Sequence, residues 1–205
     1  HTAREVGDEP LLLARHAITV IARDRAAGAR LIETLDADVI VMDDGLQNPG
    51  LEKDLAIAVV DGARGFGNGR VIPAGPLRAP LPVQMQLADA IVVNGAFAMP
   101  ASRAEGPSPL TMLREIFHGP VLAAETRPQG DLGWLDGARV VAFAGIGNPQ
   151  RVFDTARRLG AVVVAARAFP DHHMASAAEA EALLALARSS DALLLTTEKD
   201  LARLG

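Results

Sequence analysis

The chain has 205 residues, a formal net charge of -5 and a sequence pI near 5.5. This acidic balance argues against a nucleic-acid-binding protein, because such proteins need clustered Lys and Arg to displace counterions. Cysteine is absent, which excludes disulfides, thiolate metal sites and cysteine nucleophiles, and no apolar run approaches the roughly 20 residues of a membrane span.

The first motif along the chain is VGDEP, which stands just before the apolar run LLLAR. Acidic side chains such as Asp8 and Glu9 are favoured in the first turn of a helix by its dipole, and Pro10 suits the first helical position. The residues alone therefore predict a helix start. Helical spacing follows at residues 21–35.

The segment DVIVMDDGLQ contains an apolar run at residues 39–42, which predicts a strand that delivers Asp43 and Asp44 to its carboxyl end. Ligands of doubly wound sheets bind at that edge, and a carboxylate there can hold Mg²⁺ on a nucleotide, as in a Walker B motif. The alternative is a strand that simply ends in a solvated acidic turn. The pair by itself leaves both interpretations open.

A second predicted strand, at residues 55–60, leads into the glycine-rich segment GARGFGNGRVIPAGPLR. Glycine allows close approach of a ligand to the backbone, and Arg64, Arg70 and Arg78 could grip a phosphate. A purely structural loop explains the same composition, since no helix opens here as in a dinucleotide fingerprint. A further strand is predicted at residues 90–93.

The last part of the chain alternates predicted strands, at residues 140–144, 161–165 and 192–195, with predicted helices at residues 150–159 and 176–188. The second of these helices begins with a Ser176 N-cap and Glu179 three residues on. The turns AGIGNP and TTEKD are interpreted as ordinary connections of an α/β protein, although either turn could contact a nucleotide or a lipid. The turn FPDHH places Asp171, His172 and His173 together, which suits proton transfer, a metal site or a simple helix cap.

Alternation of buried strands with helices predicts an α/β fold with a mostly parallel, doubly wound sheet. Residues 98–137 are rich in Pro and Gly, which indicates a connection between two lobes. We therefore expect a first domain at residues 1–118, a linker at residues 119–138 and a smaller C-terminal α/β lobe at residues 139–205.

In this order, the motifs VGDEP, DDGLQ, VVDGARGFGNG, PAGPLR, ADAIVVNG, AGIGNP, FPDHH and TTEKD closely resemble the tetraacyldisaccharide 4'-kinase family. The resemblance extends over almost the whole chain, and GFGNG followed by PAGPLR is its most distinctive part. It implies an incomplete P-loop-kinase-like core in the first domain. It also implies an enzyme of lipid A biosynthesis that transfers the γ-phosphate of ATP to the 4'-hydroxyl of tetraacyldisaccharide 1-phosphate, giving lipid IVA.

The resemblance also implies roles for particular residues. Asp8 matches the catalytic base, and His172 matches its partner, with His173 as a rival for that place. The acids Asp43 and Asp44 match the Walker B residues that serve Mg²⁺. The nucleotide would be contacted by Asp44, Gln47 and Arg78.

Some positions depart from the family pattern. Asn48 follows DDGLQ where many members have His, and Ala79 follows PLR where Glu is frequent, so no role is carried over to either. The glycine-rich phosphate loop with Lys and Ser or Thr is not found in these 205 residues, and the sequence does not begin with Met. We expect the chain to be a fragment that is inactive alone, from a protein at the cytoplasmic face of the bacterial inner membrane.

We expect the membrane contact to be peripheral and to use a region that is not in this chain, and we expect no nucleic-acid partner. Two other functions remain open at this point. One is a noncatalytic module that binds a lipid or a nucleotide, and the other is a metal-dependent phosphohydrolase that uses the two acids with His172 and His173. Binding without turnover would favour the first, and phosphatase activity without ATP would favour the second.

Overall fold

A computed structural model describes residues 1–95 and 108–204 of the chain. Within these residues the helices are α1 (Ala3–Val6), α2 (Asp8–Leu13), α3 (Arg25–Glu33), α4 (Leu81–Gln86), α5 (Pro109–Ile116), α6 (Pro149–Arg158), α7 (Ala177–Ser189) and α8 (Glu198–Arg203). The strands are β1 (Ile57–Asp61), β2 (Ala90–Asn94), β3 (Val121–Ala124), β4 (Arg139–Ala144), β5 (Val162–Ala168) and β6 (Leu193–Leu195). A short 3₁₀ helix lies at Gly133–Leu135.

The chain divides into two compact units. One consists of His1–Arg23 together with Gln129–Gly205, and the other of Asp24–Pro128. Residues 1–23 thus group with the C-terminal residues and not with the first domain that we predicted from the sequence. Strand β3 and the 3₁₀ helix both fall inside the predicted linker at residues 119–138. Part of the Pro- and Gly-rich segment, residues 98–107, lies outside the described residues.

In the first unit a parallel sheet has the order β5-β4-β6, with β4 in the centre. Strand β4 is apolar along almost its whole length because both of its faces are covered. Val140 and Ala142 pack on the side of α6, and Val141 and Phe143 pack on the side of α7. This helix–sheet–helix arrangement confirms the predicted α/β architecture.

Helix α7 shows how closely local sequence fixes an element. The Ser176 side chain accepts a hydrogen bond from the backbone N–H of Glu179, whose carboxylate in turn accepts one from the backbone N–H of Ser176. This is the predicted capping box. Helix α2 begins within the VGDEP motif, as predicted, but at Asp8, so that Pro10 is its third residue and not its first. The helix packs against α8.

In the second unit, strands β1, β2 and β3 form a parallel sheet in that order. Its core contains Val60, Ile91 and Val93, against which Leu113 of α5 packs. Strand β1 is at the edge of this sheet, and its Val59 side chain is 69% exposed.

The strand predicted at residues 39–42 is wrong. These residues have no regular secondary structure, and Val39 and Val41 are 75% and 89% exposed. A strand that is apolar on both faces is stable only where neighbouring strands pair with its backbone and other elements cover its faces. Among the described residues nothing pairs with this run, so its hydrophobic pattern alone does not make it a strand.

No helix within residues 1–95 and 108–204 combines the length and the apolar character needed to cross a bilayer.

Candidate active site

Asp8 is a buried acid at the start of α2, and its residue is only 6% exposed. The preceding Gly7 has a φ of +86°, a conformation that favours glycine and turns the chain between α1 and α2. The guanidinium of Arg203 reaches the carboxylate from α8: its Nε donates to Oδ2 of Asp8 at 2.9 Å, and its Nη2 donates to the same oxygen. Asp8 therefore sits in a buried ion pair.

Arg203 is itself only 5% exposed, and it has hydrogen-bond partners other than Asp8. Its Nη1 donates to the carbonyl of Gly145 at 2.6 Å and to Oδ1 of Asp200 at 3.1 Å. Asp200 also accepts hydrogen bonds from the backbone N–H of Gly145 at 2.9 Å and from the hydroxyl of Thr197 at 2.6 Å. Each buried charge in this group is thus paired and hydrogen-bonded, as burial of charge requires.

Gly145, in the turn that follows β4, brings the pieces of this network together. Its N–H donates to Asp200, while its carbonyl accepts from Arg203 and also from the backbone N–H of His172 at 3.1 Å. A Cβ atom at this position would lie 3.1 Å from Oδ1 of Asp200 and 3.2 Å from the carbonyl of Pro170. A side chain would crowd the site, which explains why glycine occupies this position of AGIGNP.

His172 lies beside Asp8, as the resemblance implies. Its Nδ1 is 3.7 Å from Oδ1 of Asp8 and 3.4 Å from Nη2 of Arg203, while its side chain is 64% exposed. The backbone of His172 is left-handed, with a φ of 58°, a conformation that His tolerates better than most residues. The imidazole of His172 therefore lies between the buried carboxylate of Asp8 and the solvent.

His173 makes different contacts. Its ring stacks on Phe169 with a centroid separation of 4.8 Å, and its Nε2 lies 3.1 Å from Oε1 of Glu179. Glu179 belongs to the capping box of α7, so His173 is tied to that helix. Of the two histidines in FPDHH, only His172 is placed next to Asp8 by these contacts.

The pKa of Asp8 is set by opposing effects. Burial raises it, but the hydrogen bonds from Arg203 and from the backbone N–H of Asp8 itself, together with the positive charge of Arg203, outweigh burial, so that the pKa lies below its usual value. Asp8 is therefore ionised at neutral pH. A carboxylate of this kind can accept a proton from a bound hydroxyl, although weakly.

A second ion pair links the same two helices. The ammonium group of Lys199 on α8 donates to the carboxylate of Glu9 on α2 in a partly buried contact. Both residues adjoin the central network, since Glu9 follows Asp8 and Lys199 precedes Asp200. This pair holds α2 and α8 together next to the buried charges.

The other predicted site residues lie in the second unit. Asp43 and Asp44 are exposed, and Asp44 pairs with Nη2 of Arg78 at 3.2 Å, with the two side chains 76% and 60% exposed. Gln47 donates to Oε1 of Gln84 at 3.0 Å. The structure thus brings Asp44 and Arg78 together, as it does Asp8 and His172.

Asp43 and Asp44 are the candidate metal ligands that the sequence predicts. Within residues 1–95 and 108–204 no three His, Cys, Asp or Glu side chains are grouped so that they could hold a metal ion. Mg²⁺ needs fewer, because it is usually held by one or two carboxylates together with water and the phosphates of a substrate. Asp43 and Asp44 fit that donor set.

Sequence analysis missed Arg203, Asp200 and Lys199 as members of the site. The sequence favours TTEKD as an ordinary connection that could at most contact a nucleotide or a lipid, and Arg203 lies beyond it. One available signal is the spacing of Asp200 and Arg203, which places both on the same side of a helix. Their partners Asp8 and Gly145 are distant in sequence, so spacing alone does not reveal the network.

Comparison with known proteins gives the family. A family model described as tetraacyldisaccharide-1-P 4'-kinase (LpxK) matches residues 1–205. The tetraacyldisaccharide 4'-kinase of Bradyrhizobium sp. strain BTAi1 is 51% identical over 205 residues, which are 100% of this chain and 57% of that protein. The same-named protein of Methylorubrum extorquens strain PA1 is 53% identical, over 100% of this chain and 60% of its own length.

A solved structure supports the same relationship. The crystal structure of LpxK from Aquifex aeolicus, described as an "apo" form in complex with ATP, has a TM-score of 0.66 and 25% sequence identity. The match covers 100% of this chain and 62% of that one. The predicted P-loop-kinase-like α/β fold is therefore confirmed, and the chain spans about three fifths of the length of the curated relatives it matches. This chain belongs to the tetraacyldisaccharide-1-P 4'-kinase family.

Proposed function

We propose that the full-length protein containing this chain is an ATP-dependent kinase that phosphorylates the 4'-hydroxyl of tetraacyldisaccharide 1-phosphate to form lipid IVA. The observation that carries the proposal is the buried, ionised Asp8 beside the accessible His172, in a chain that the family model matches throughout. The domain boundaries expected from the sequence also remain a proposal for the complete enzyme.

Asp8 acts as the proton acceptor in this proposal. As the bond from the 4'-oxygen to the γ-phosphorus forms and the bond from that phosphorus to the leaving oxygen breaks, the hydroxyl proton passes to the Asp8 carboxylate. Phosphoryl transfer has a loose transition state and depends mainly on positioning and charge stabilisation. A weakly basic carboxylate in a fixed place therefore suffices.

His172 connects Asp8 with the exterior. Its imidazole is exposed on one side and lies against the carboxylate on the other, so it can orient the sugar hydroxyl and carry the accepted proton to solvent. Histidine suits this transfer because it ionises near neutral pH. In the proposal His173 has only a structural role, at the start of α7.

Asp43 and Asp44 would hold Mg²⁺, which when bound neutralises charge on the phosphates of ATP. Arg78 and Gln47 would contact the nucleotide. The Asp44–Arg78 pair is exposed, and exposed pairs contribute at most about 1 kcal/mol, so little free energy is needed to separate the two groups for these roles.

We further propose that the enzyme works at the cytoplasmic face of the bacterial inner membrane, where its acylated substrate would be found. Its membrane contact would be peripheral and made by a region outside these residues. An acidic chain gives no support to a nucleic-acid partner.

The test is transfer of labelled phosphate from ATP to tetraacyldisaccharide 1-phosphate by the full-length protein and by its variants His172→Gln and His173→Gln. We expect the first variant to lower kcat by about 100-fold, in the range for lost proton-transfer assistance, and the second to lower it by less than about fivefold. Absence of ATP-dependent product with the unmodified protein would refute the function. Equal losses in the two variants would refute the role given to His172.

A further inference from the structure

We propose that Arg203 is the positioning residue of the Asp8–His172 pair: its guanidinium fixes one carboxylate oxygen of Asp8 and presents an N–H to Nδ1 of His172. The inference rests on the proposed function, because the pair has to be positioned only if it acts on a substrate.

The guanidinium is anchored by groups from separate parts of the fold. Nη1 is held by the carbonyl of Gly145 at 2.6 Å and by Asp200 at 3.1 Å, while Nε and Nη2 are directed at Oδ2 of Asp8. Its side chain is 3% exposed, so solvent does not compete for these donors. A planar fork of fixed donors sets the orientation of Asp8 in a way that a single ammonium group does not.

The same contacts maintain the charge of Asp8. Burial of the carboxylate raises its pKa, and the hydrogen bonds from Arg203 are the largest effect in the opposite direction. Arg203 and the titratable ring of His172 face Asp8 directly, and Asp200 lies on the far side of the guanidinium. The Glu9–Lys199 pair is next along the helices, and Asp171 lies near Nε2 of His172. Without Arg203, burial would remain and the carboxylate would lose its main stabilising partner.

Arg203 also acts on His172. Every polar hydrogen of a guanidinium is a donor, so Nδ1 of His172, 3.4 Å from Nη2, is the acceptor in that contact. Oδ1 of Asp8 is 3.7 Å from the same nitrogen, which is too long for a hydrogen bond. In the neutral imidazole this contact places the ring proton on Nε2, the nitrogen that lies 3.9 Å from Oδ1 of Asp171.

A purely structural role for Arg203 is the competing explanation, because the same bonds attach α8 to the turn after β4. The two roles differ in what they change. A structural role alters the amount of folded protein, whereas a positioning role alters the pH dependence of turnover and the tautomer of His172 in the protein that remains folded.

The experiment compares Arg203→Gln and Arg203→Lys with the unmodified full-length protein, and Arg157→Gln serves as the matched control. Arg157 forms an exposed pair with Asp154. We expect Arg203→Gln to lower kcat by about 100-fold, as for misplacement of a reacting group, with the KM for ATP unchanged. The acidic limb of the kcat–pH profile should move to higher pH, and Arg203→Lys should restore part of both effects. Arg157→Gln should behave as the unmodified protein.

The second readout is the ¹⁵N NMR spectrum of histidine-labelled protein, with the His172 signal assigned from the His172→Gln variant. In the neutral form of the His172 ring we expect an unprotonated Nδ1 and a protonated Nε2, and loss of this preference in Arg203→Gln. A neutral ring with its proton on Nδ1 in the unmodified protein, or a fall in kcat with an unmoved acidic limb, would overturn the inference. If neither Arg203 variant folds, the tautomer in the unmodified protein decides alone.

This spectrum requires no turnover. An unmodified protein without kinase activity would therefore refute the proposed function, whereas a wrong tautomer would refute only the role of Arg203.

Discussion

The two units of the chain treat their charged residues in opposite ways. The charges of Asp8, Asp200 and Arg203 are buried and paired, and Asp200 and Arg203 are also hydrogen-bonded to the backbone of Gly145. In residues 24–128 the pair of Asp44 and Arg78 is exposed, and the run that leads to it is irregular. The first arrangement is fixed before any ligand binds, whereas the second leaves its acids accessible to a cation and its arginine accessible to phosphate.

This difference has energetic consequences. Removing one partner of a buried ion pair leaves an uncompensated charge in a medium that solvates it poorly, which costs about 3–5 kcal/mol. Removing one partner of an exposed pair leaves a charge that water solvates, which costs at most about 1 kcal/mol. Removal of Arg203 should therefore destabilise the first unit far more than removal of Arg78 destabilises the second unit.

The largest expected effect compares Arg203→Met with Arg78→Met in the full-length protein. Hydrogen exchange should show the opening free energy of α2 and α8 reduced by about 3–5 kcal/mol in Arg203→Met. In Arg78→Met the segments around Asp44 should change by no more than about 1 kcal/mol. Equal changes in the two variants would remove the distinction between the units.

A smaller effect is expected on the stability of α2 and α8 at low pH. The folded-state pKa of Asp8 is depressed below its ordinary value of 3.8, so its stabilising contribution is complete above that value and is lost as the pH falls through the folded-state pKa. We expect protection of α2 and α8 from hydrogen exchange to decline below about pH 4, after correction for intrinsic exchange rates. The decline should be weaker in Asp8→Asn than in Asp154→Asn, whose carboxylate is exposed. An unchanged decline in Asp8→Asn would assign the acid sensitivity to other groups.

Local sequence signals predict the helices and strands of the first unit well because residues close together in sequence specify them. The capping box of Ser176 and Glu179 marks the start of α7, and the uninterrupted apolar run of β4 reports burial on both faces. The same kind of apolar run at residues 39–42 fails, since a buried strand also needs partners that its own residues do not specify.

The candidate site is predictable only in part, for a similar reason. Asp8 and His172 are found through the family resemblance, and the structure places them side by side. Arg203 is not predicted as a site residue because its partners Asp8 and Gly145 are far away in sequence, and neither its residue type nor its position suggests burial. The roles of Asp43, Asp44, Gln47 and Arg78 stay predictions.

The most direct test of the central claim, that Asp8 is the proton acceptor, is single-turnover phosphoryl transfer by the full-length protein at saturating ATP and tetraacyldisaccharide 1-phosphate. The account predicts that Asp8→Asn slows the transfer step by about 10²–10⁴-fold while ATP still binds, and that Asp154→Asn leaves it unchanged. Transfer by folded Asp8→Asn at the rate of the unmodified protein would contradict the account.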